Sequence, residues 1–209
     1  MTYLRSTKEF YRKLKTEGMS KLMTKERDKA YIKFLKDHLN KNQKILDLAC
    51  GYGRLTIPLV KAGYPIEGID LIPNFIKDAK KIAKKNKICA KFRIGNMLSL
   101  PYKNNYFDVI ICMWSSFNHL LTKKNQIKAL NEMIRILKGK GFAIIDMPSY
   151  RIINEKHLIM GTIGGFENVD YIHNRKSLIN ILKKSKIKDY KIKIENIGKR
   201  KRLLLYIYK

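Results

Sequence analysis

Short apolar runs alternate with helical stretches from residue 45 to residue 147. A chain with that rhythm is confined to a largely parallel sheet covered by helices on both faces. The first run, Ile45-Leu-Asp-Leu48, has the unbroken apolar character of a buried strand. The chain then passes through Gly51 and Gly53 before the helical spacing of Leu55, Leu59, Val60 and Ala62 takes over. A strand that turns on glycines into a helix brings backbone N–H groups close to a ligand. A Gly-x-Gly turn alone is unspecific. Here Asp47 ends the first run, placed to receive a positive charge, and the second run, Pro65–Asp70, ends in an acid about twenty residues on, where a ribose diol is held in folds of this kind.

The alternation continues. Pro73–Lys85 is expected to be a helix with proline in its first turn and Phe75, Ile76, Ala79, Ile82 and Ala83 on one face. A strand at Ala90–Ile94 leads into a loop carrying Pro101, then a strand at Asp108–Met113. Asn125–Leu137 reads as a helix ended by Gly139 and Gly141, and Phe142–Met147 as a strand stopped at Pro148. Before this core, two helical segments divide at Gly18; Phe10, Tyr11 and Leu14 mark the first, and Tyr31, Phe34, Leu35, His38 and Leu39 stripe the second. After it, Gly161, Gly164 and Gly165 argue against any long element over residues 148–174. A short helix, Ser177–Lys184, then precedes an alternating pair, Tyr190–Ile197 and Arg202–Tyr208, which reads as a hairpin turning through Gly198-Lys-Arg-Lys201. All 209 residues are thus expected to form one α/β domain. It has a helical cap (1–43), a ligand-binding core (44–147), and a substrate-side cap with a terminal hairpin (148–209).

Asp47-Leu-Ala-Cys-Gly-Tyr-Gly-Arg54 and Gly-Tyr-Pro-Ile-Glu-Gly-Ile-Asp70 resemble the first two motifs of the class I S-adenosylmethionine-dependent methyltransferases. Gly95–Pro101, Phe107–Cys112 and Leu137–Asp146 are similar to the third motif and to the fourth and fifth strands. The resemblance implies a doubly wound seven-stranded sheet in the order 3-2-1-4-5-7-6 with an antiparallel last strand. It also implies S-adenosylmethionine as cofactor. On that basis Ala49, Gly51 and Gly53 form the turn against its amino-acid end, and Asp47 lies near its ammonium. Asp70 takes the ribose hydroxyls, Leu71 or Ile72 packs on the adenine with Asn96 and Met97 opposite, and Trp114 and Ser115 floor the pocket. Two positions depart from the family pattern. Ala49 replaces the first glycine, and Asn96 replaces an acid, keeping an amide oxygen that can accept from an adenine amino group.

Methyl transfer from a sulfonium asks a protein for alignment, exclusion of water and, for some acceptors, a base. His119 and His173 are the placed histidines, with Tyr150, Tyr171 and Asp146 behind them; His38 belongs to a packed stripe. Tyr150–His173, with the helix around Tyr11, is expected to cover the pocket mouth. The four histidines and three cysteines have no metal-ligand spacing, so no metal is expected. Cys50, Cys89 and Cys112 fall in or beside apolar runs, which suggests core residues in a reducing compartment. Nothing resembles a signal peptide or a membrane span, so a cytoplasmic protein without a membrane partner is expected.

The net charge of +28 is spread along the chain and densest near its C-terminal end. Three functions fit. One is a methyltransferase acting on a small or otherwise soluble acceptor. The second is an RNA methyltransferase, drawing on the basic excess and on Lys199-Arg-Lys-Arg202. The third is a non-catalytic partner that binds the cofactor only. The oligomeric state is not legible.

Overall fold

The computed structural model describes residues 3–149, 158–163 and 165–209. Five strands come from the alternating core: β1 (Ile45–Leu48), β2 (Ile66–Asp70), β3 (Lys91–Ile94), β4 (Phe107–Cys112) and β5 (Leu137–Pro148). They are joined by α3 (Thr56–Lys61), α4 (Pro73–Lys85) and α5 (Lys123–Ile136), and preceded by α1 (Tyr3–Leu22) and α2 (Lys25–His38). A hairpin, β6 (Leu158–Ile163) and β7 (Phe166–Tyr171), follows, then α6 (Arg175–Lys183), β8 (Asp189–Ile197) and β9 (Arg200–Tyr208). The main sheet runs β3-β2-β1-β4-β5-β9-β8, parallel from β3 to β5, with β9 antiparallel between β5 and β8. This is the expected doubly wound order once the β6–β7 hairpin, a separate sheet, is set aside.

Period-two alternation divides the core. Leu46, Leu48, Ile110, Cys112, Ala143 and Ile145 face α5 and α6. Ile45, Val109, Ile111 and Ile144 face the Tyr31, Phe34, Leu35 and Leu39 stripe of α2. His38 is structural, as its place in that stripe suggests: its ring contacts the Phe34 carbonyl at 2.8 Å and the Tyr206 hydroxyl at 3.3 Å. The strand order reverses between β1 and β4, so the crevice for a ligand opens beyond their carboxyl ends.

Several boundaries differ from expectation. The two N-terminal helices divide at Met23 and Thr24 rather than at Gly18, and α1 is itself kinked at Lys15 (φ 54, ψ 176). Gly18 stays helical and lets Leu14 pack where a β-carbon would sit 2.7 Å from it. Gly139 and Gly141 do not end α5, which passes straight into β5 at Leu137. Gly141 instead permits close approach, since a β-carbon there would lie 2.8 Å from the Asp108 carbonyl. The terminal hairpin is tighter than expected: Gly198 (φ 61) and Lys199 alone make the turn, so residues 200 and 201 are strand. Cys89 is exposed, whereas Cys50 and Cys112 are buried. The β6–β7 hairpin was illegible because its apolar residues do not mark a buried face: Leu158 and Met160 are 52% and 72% exposed.

Candidate functional site

The turn after β1 carries three left-handed residues, each for its own reason: Ala49 (φ 63), Gly51 (φ 56) and Gly53 (φ 80). At Gly51 a β-carbon would enter open space, on the side that lines the cleft. At Gly53 it would strike Phe92 at 2.8 Å and Ile57 at 3.0 Å. Gly53 therefore serves the packing of α3 against β3 rather than the ligand, and does not line the cleft, which corrects its expected role. Ala49 does line it, holding a conformation that glycine would adopt without steric cost.

Two buried carboxylates face this turn. Asp70 accepts the backbone N–H groups of Gly51 and Ile72, each at 2.8 Å. Burial nonetheless outweighs those bonds and raises its pKa from 3.8 to about 6. Asp47 accepts the Thr56 hydroxyl at 2.6 Å, and burial raises it likewise to about 6, with the nearby charge of Asp70 adding to the effect. Such a pair favours a ligand that brings positive charge and hydroxyl donors. Leu71, Ile72, Asn96, Met97 and Trp114 line the rest of the cleft, where the sequence placed them. The Asn96 oxygen accepts the Leu98 N–H at 2.9 Å, so part of its acceptor capacity goes into shaping the loop.

Beyond β4 the backbone is strained: Trp114 (φ 59) and Ser115 (φ 66) are consecutive left-handed residues. Asp146, fully buried at the end of β5, holds them. Its carboxylate accepts the Trp114 N–H and the Tyr31 hydroxyl, both at 2.8 Å, and is gripped by Arg202 at 2.6 and 3.1 Å. Asp146 is thus committed to structure rather than available as a base. The double twist sends the Ser115 hydroxyl to Arg202, at 2.7 Å, so Ser116 and not Ser115 lines the cofactor cleft.

Three elements meet at His119. Its Nε2 pairs with the Tyr11 hydroxyl of α1 at 2.5 Å. Its Nδ1 lies 3.1 Å from the Asp170 carboxylate of β7, without the alignment of a hydrogen bond. His119 and Tyr11 both line the cleft, and both also line a second chamber beside it. His173 lines neither. It is 1% exposed, tilted against the rings of Tyr171 and Phe117 and 3.2 Å from the Ser177 hydroxyl, so it packs in the core away from both cavities. Tyr171 is likewise buried, outside both linings. Tyr150 and His157 fall outside the described residues. Among the described residues no group of three or more His, Cys, Asp or Glu is arranged to hold a metal ion, and no helix is long and apolar enough to cross a membrane.

The methyltransferase domain family matches residues 45–141. The core of the chain, residues 45–141, is thus a methyltransferase domain. It is 30% identical over 124 residues to a glycine/sarcosine N-methyltransferase of Aphanothece halophytica, covering 59% of this chain and 46% of that one. An uncharacterized protein of Methanocaldococcus jannaschii is 35% identical over 150 residues, covering 68% of this chain and 60% of the relative. The chain spans about half the length of the curated relatives it matches. The same fold is seen in an S-adenosylmethionine-dependent methyltransferase from Clostridium acetobutylicum, at a TM-score of 0.69 and 18% identity, over 99% of both chains. The cleft of this domain fits S-adenosylmethionine: its two buried carboxylates suit a cationic ligand carrying a diol, and Gly51 leaves the cradle open.

Sequence reasoning missed Arg54, Met19 and Ser116 in the cleft and Asp170 at His119. Arg54 closes the first motif and was open to reading. The others come from separate elements, with no spacing to betray them.

Proposed function

We propose that this methyltransferase transfers a methyl group directly, in line, to a small soluble acceptor seated in the chamber beside the cofactor cleft. The observation that carries the reading is that His119 and Tyr11 form a wall common to both cavities. When bound, the cofactor would supply an electrophilic methyl, its sulfur keeping the electron pair of the broken bond as the acceptor lone pair forms the new one. Asp47 and Asp70 would hold it, and the apolar lining excludes water. With the His119 proton on Nδ1 toward Asp170, Nε2 is free to accept. A proton leaving the acceptor passes to the Tyr11 oxygen as the Tyr11 proton moves to Nε2, and Asp170 steadies the resulting imidazolium. The similarity to a glycine/sarcosine N-methyltransferase supports a small acceptor.

The RNA reading rests on the basic charge and on Lys199-Arg-Lys-Arg202, of which Lys199, Arg200 and Lys201 are exposed while Arg202 is turned inward. Arg202 is 7% exposed and paired to Asp146, and Arg200 lines the second chamber. A labelled-methyl screen of small metabolites, total RNA and protein extract tests the proposal. Label is expected in metabolites and lost in His119→Gln; label in RNA alone refutes it.

A further inference from the structure

The second chamber shares Tyr11, Met19, Trp114 and His119 with the cofactor cleft, and its remaining polar wall is mainly guanidinium: Arg27, Arg200 and Arg202. The charges do not cancel. Arg202 is matched by Asp146, and Asp170, the acid of this lining, lies against His119. Arg27 and Arg200 have no carboxylate within ion-pairing distance among the described residues. Arg27 is positioned by a bond from Nη1 to the Leu22 carbonyl at 2.7 Å, and its guanidinium lies 5.9 Å from the centre of the Trp114 ring. Its hold on its proton is weakened by burial first, then by the charges of Arg200 and Arg54. Half-buried Arg27 and exposed Arg200, two like charges lining one chamber, form a receptor for an oxyanion, which their planar forks can grip at two points.

We propose that the acceptor is a small molecule bearing a carboxylate or phosphate, held by Arg27 and Arg200 at one side of the chamber with its nucleophile turned to Tyr11 and His119 on the wall next to the cofactor. The inference rests on the transferase reading and deepens it. It gives the basic excess at this site a local purpose. Charge at one end of the acceptor fixes which atom faces the methyl, so the arginines choose the methylated position as well as the molecule. A neutral analogue of the same shape leaves the half-buried Arg27 guanidinium without a counter-charge, which is a source of discrimination.

Trp114 is the single tryptophan and forms part of both linings, so its fluorescence reports on the chamber. Protein saturated with S-adenosylhomocysteine is titrated at constant ionic strength with phosphate, acetate, benzoate and the neutral control benzamide. The expectation is a saturable response to at least one of the anions and none to benzamide. Arg27→Gln and Arg200→Gln should each weaken that response ten- to a hundredfold, Arg27→Lys should recover most of it, and cofactor-product affinity should stay within about twofold. Absence of any anion response, or a response indifferent to both substitutions, overturns the inference.

A second arm uses activity. Methyl label from cofactor should enter small-molecule fractions that anion-exchange resin retains at about pH 11, where amino-acid zwitterions too are anionic, with the same substitutions raising KM rather than lowering kcat. Label confined to the unretained fraction or to RNA also overturns it. The two readings fail separately. Anion binding without label in any fraction refutes the transferase, whereas label without anion binding refutes the arginine subsite.

Discussion

Asp70→Asn should make the unliganded protein more stable while impairing its binding of cofactor. Burial holds the Asp70 carboxyl near 6 against an ordinary 3.8. Keeping it ionised at neutral pH therefore costs the folded state roughly 3 kcal/mol. The folded pKa is raised, so the cost is fully present above about pH 6. It falls by about half near pH 5 and is gone below the unfolded value. Asparagine removes the cost but offers one oxygen, so one of the two N–H donors from Gly51 and Ile72 loses its acceptor, at about 1 kcal/mol or more. The substitution also lifts a repulsion from Asp47. The net gain is about 1–2 kcal/mol at pH 7.5, or roughly 2–8 °C in Tm for a domain of this size, shrinking toward zero near pH 5. Cofactor affinity should fall about ten- to a hundredfold with the loss of charge-assisted bonds. Thermal melts at pH 5 and 7.5, with and without S-adenosylhomocysteine, provide the assay. A variant less stable than wild type at pH 7.5 without ligand, or an effect equal at both pH values, refutes the reasoning.

Ala49→Gly should stabilise the protein by about 1 kcal/mol in urea unfolding, because the left-handed backbone at φ 63 penalises a β-carbon. No change would mean that the alanine methyl gains as much in packing as it costs in strain. Asp170→Asn should lower kcat about tenfold or more and shift its pH profile, with cofactor affinity unaltered, since the charge facing His119 Nδ1 is removed; a change in KM alone would argue for a purely structural contact. Dialysis against a chelator should leave the rate unchanged; loss of activity restored by one divalent metal would disprove metal-free transfer. Hydrogen exchange should slow over the helix around Tyr11 and over 158–171 when cofactor product binds, and identical exchange in both states would refute closure of these elements as a lid.

The strands and α4 were legible because burial on both faces or on one stripe writes itself into sequence as period. Pro73–Lys85 was located to the residue. What the pattern could not separate is two kinds of glycine. Gly51 and Gly53 both need positive φ, and only the neighbours Phe92 and Ile57 reveal that one serves the core and the other the ligand. Ser115 shows a similar ambiguity, because two left-handed residues in succession exchange which serine faces the cleft. His119 was readable from its place after strand 4, but His173 looked equivalent until the fold put it into packing. The acceptor side was the least legible part. Arg27, Asp170 and Arg200 come from three elements, and no local spacing ties them together.

Asp146 joins residues that are made at very different times. It touches Tyr31, 115 positions earlier, Trp114, 32 earlier, and Arg202, 56 later. β9 is the neighbour of β5 in the sheet, so without it β5 is an edge strand and the carboxylate that pins the Trp114 turn lacks both its cover and its guanidinium. β9 is therefore a latch on the Trp114–Ser115 turn, which has its full set of side-chain contacts only with the hairpin that carries Arg202 docked. Nascent chains arrested before and after β9 should differ in this respect, with the shorter ones leaving Trp114 open to quenchers in solution.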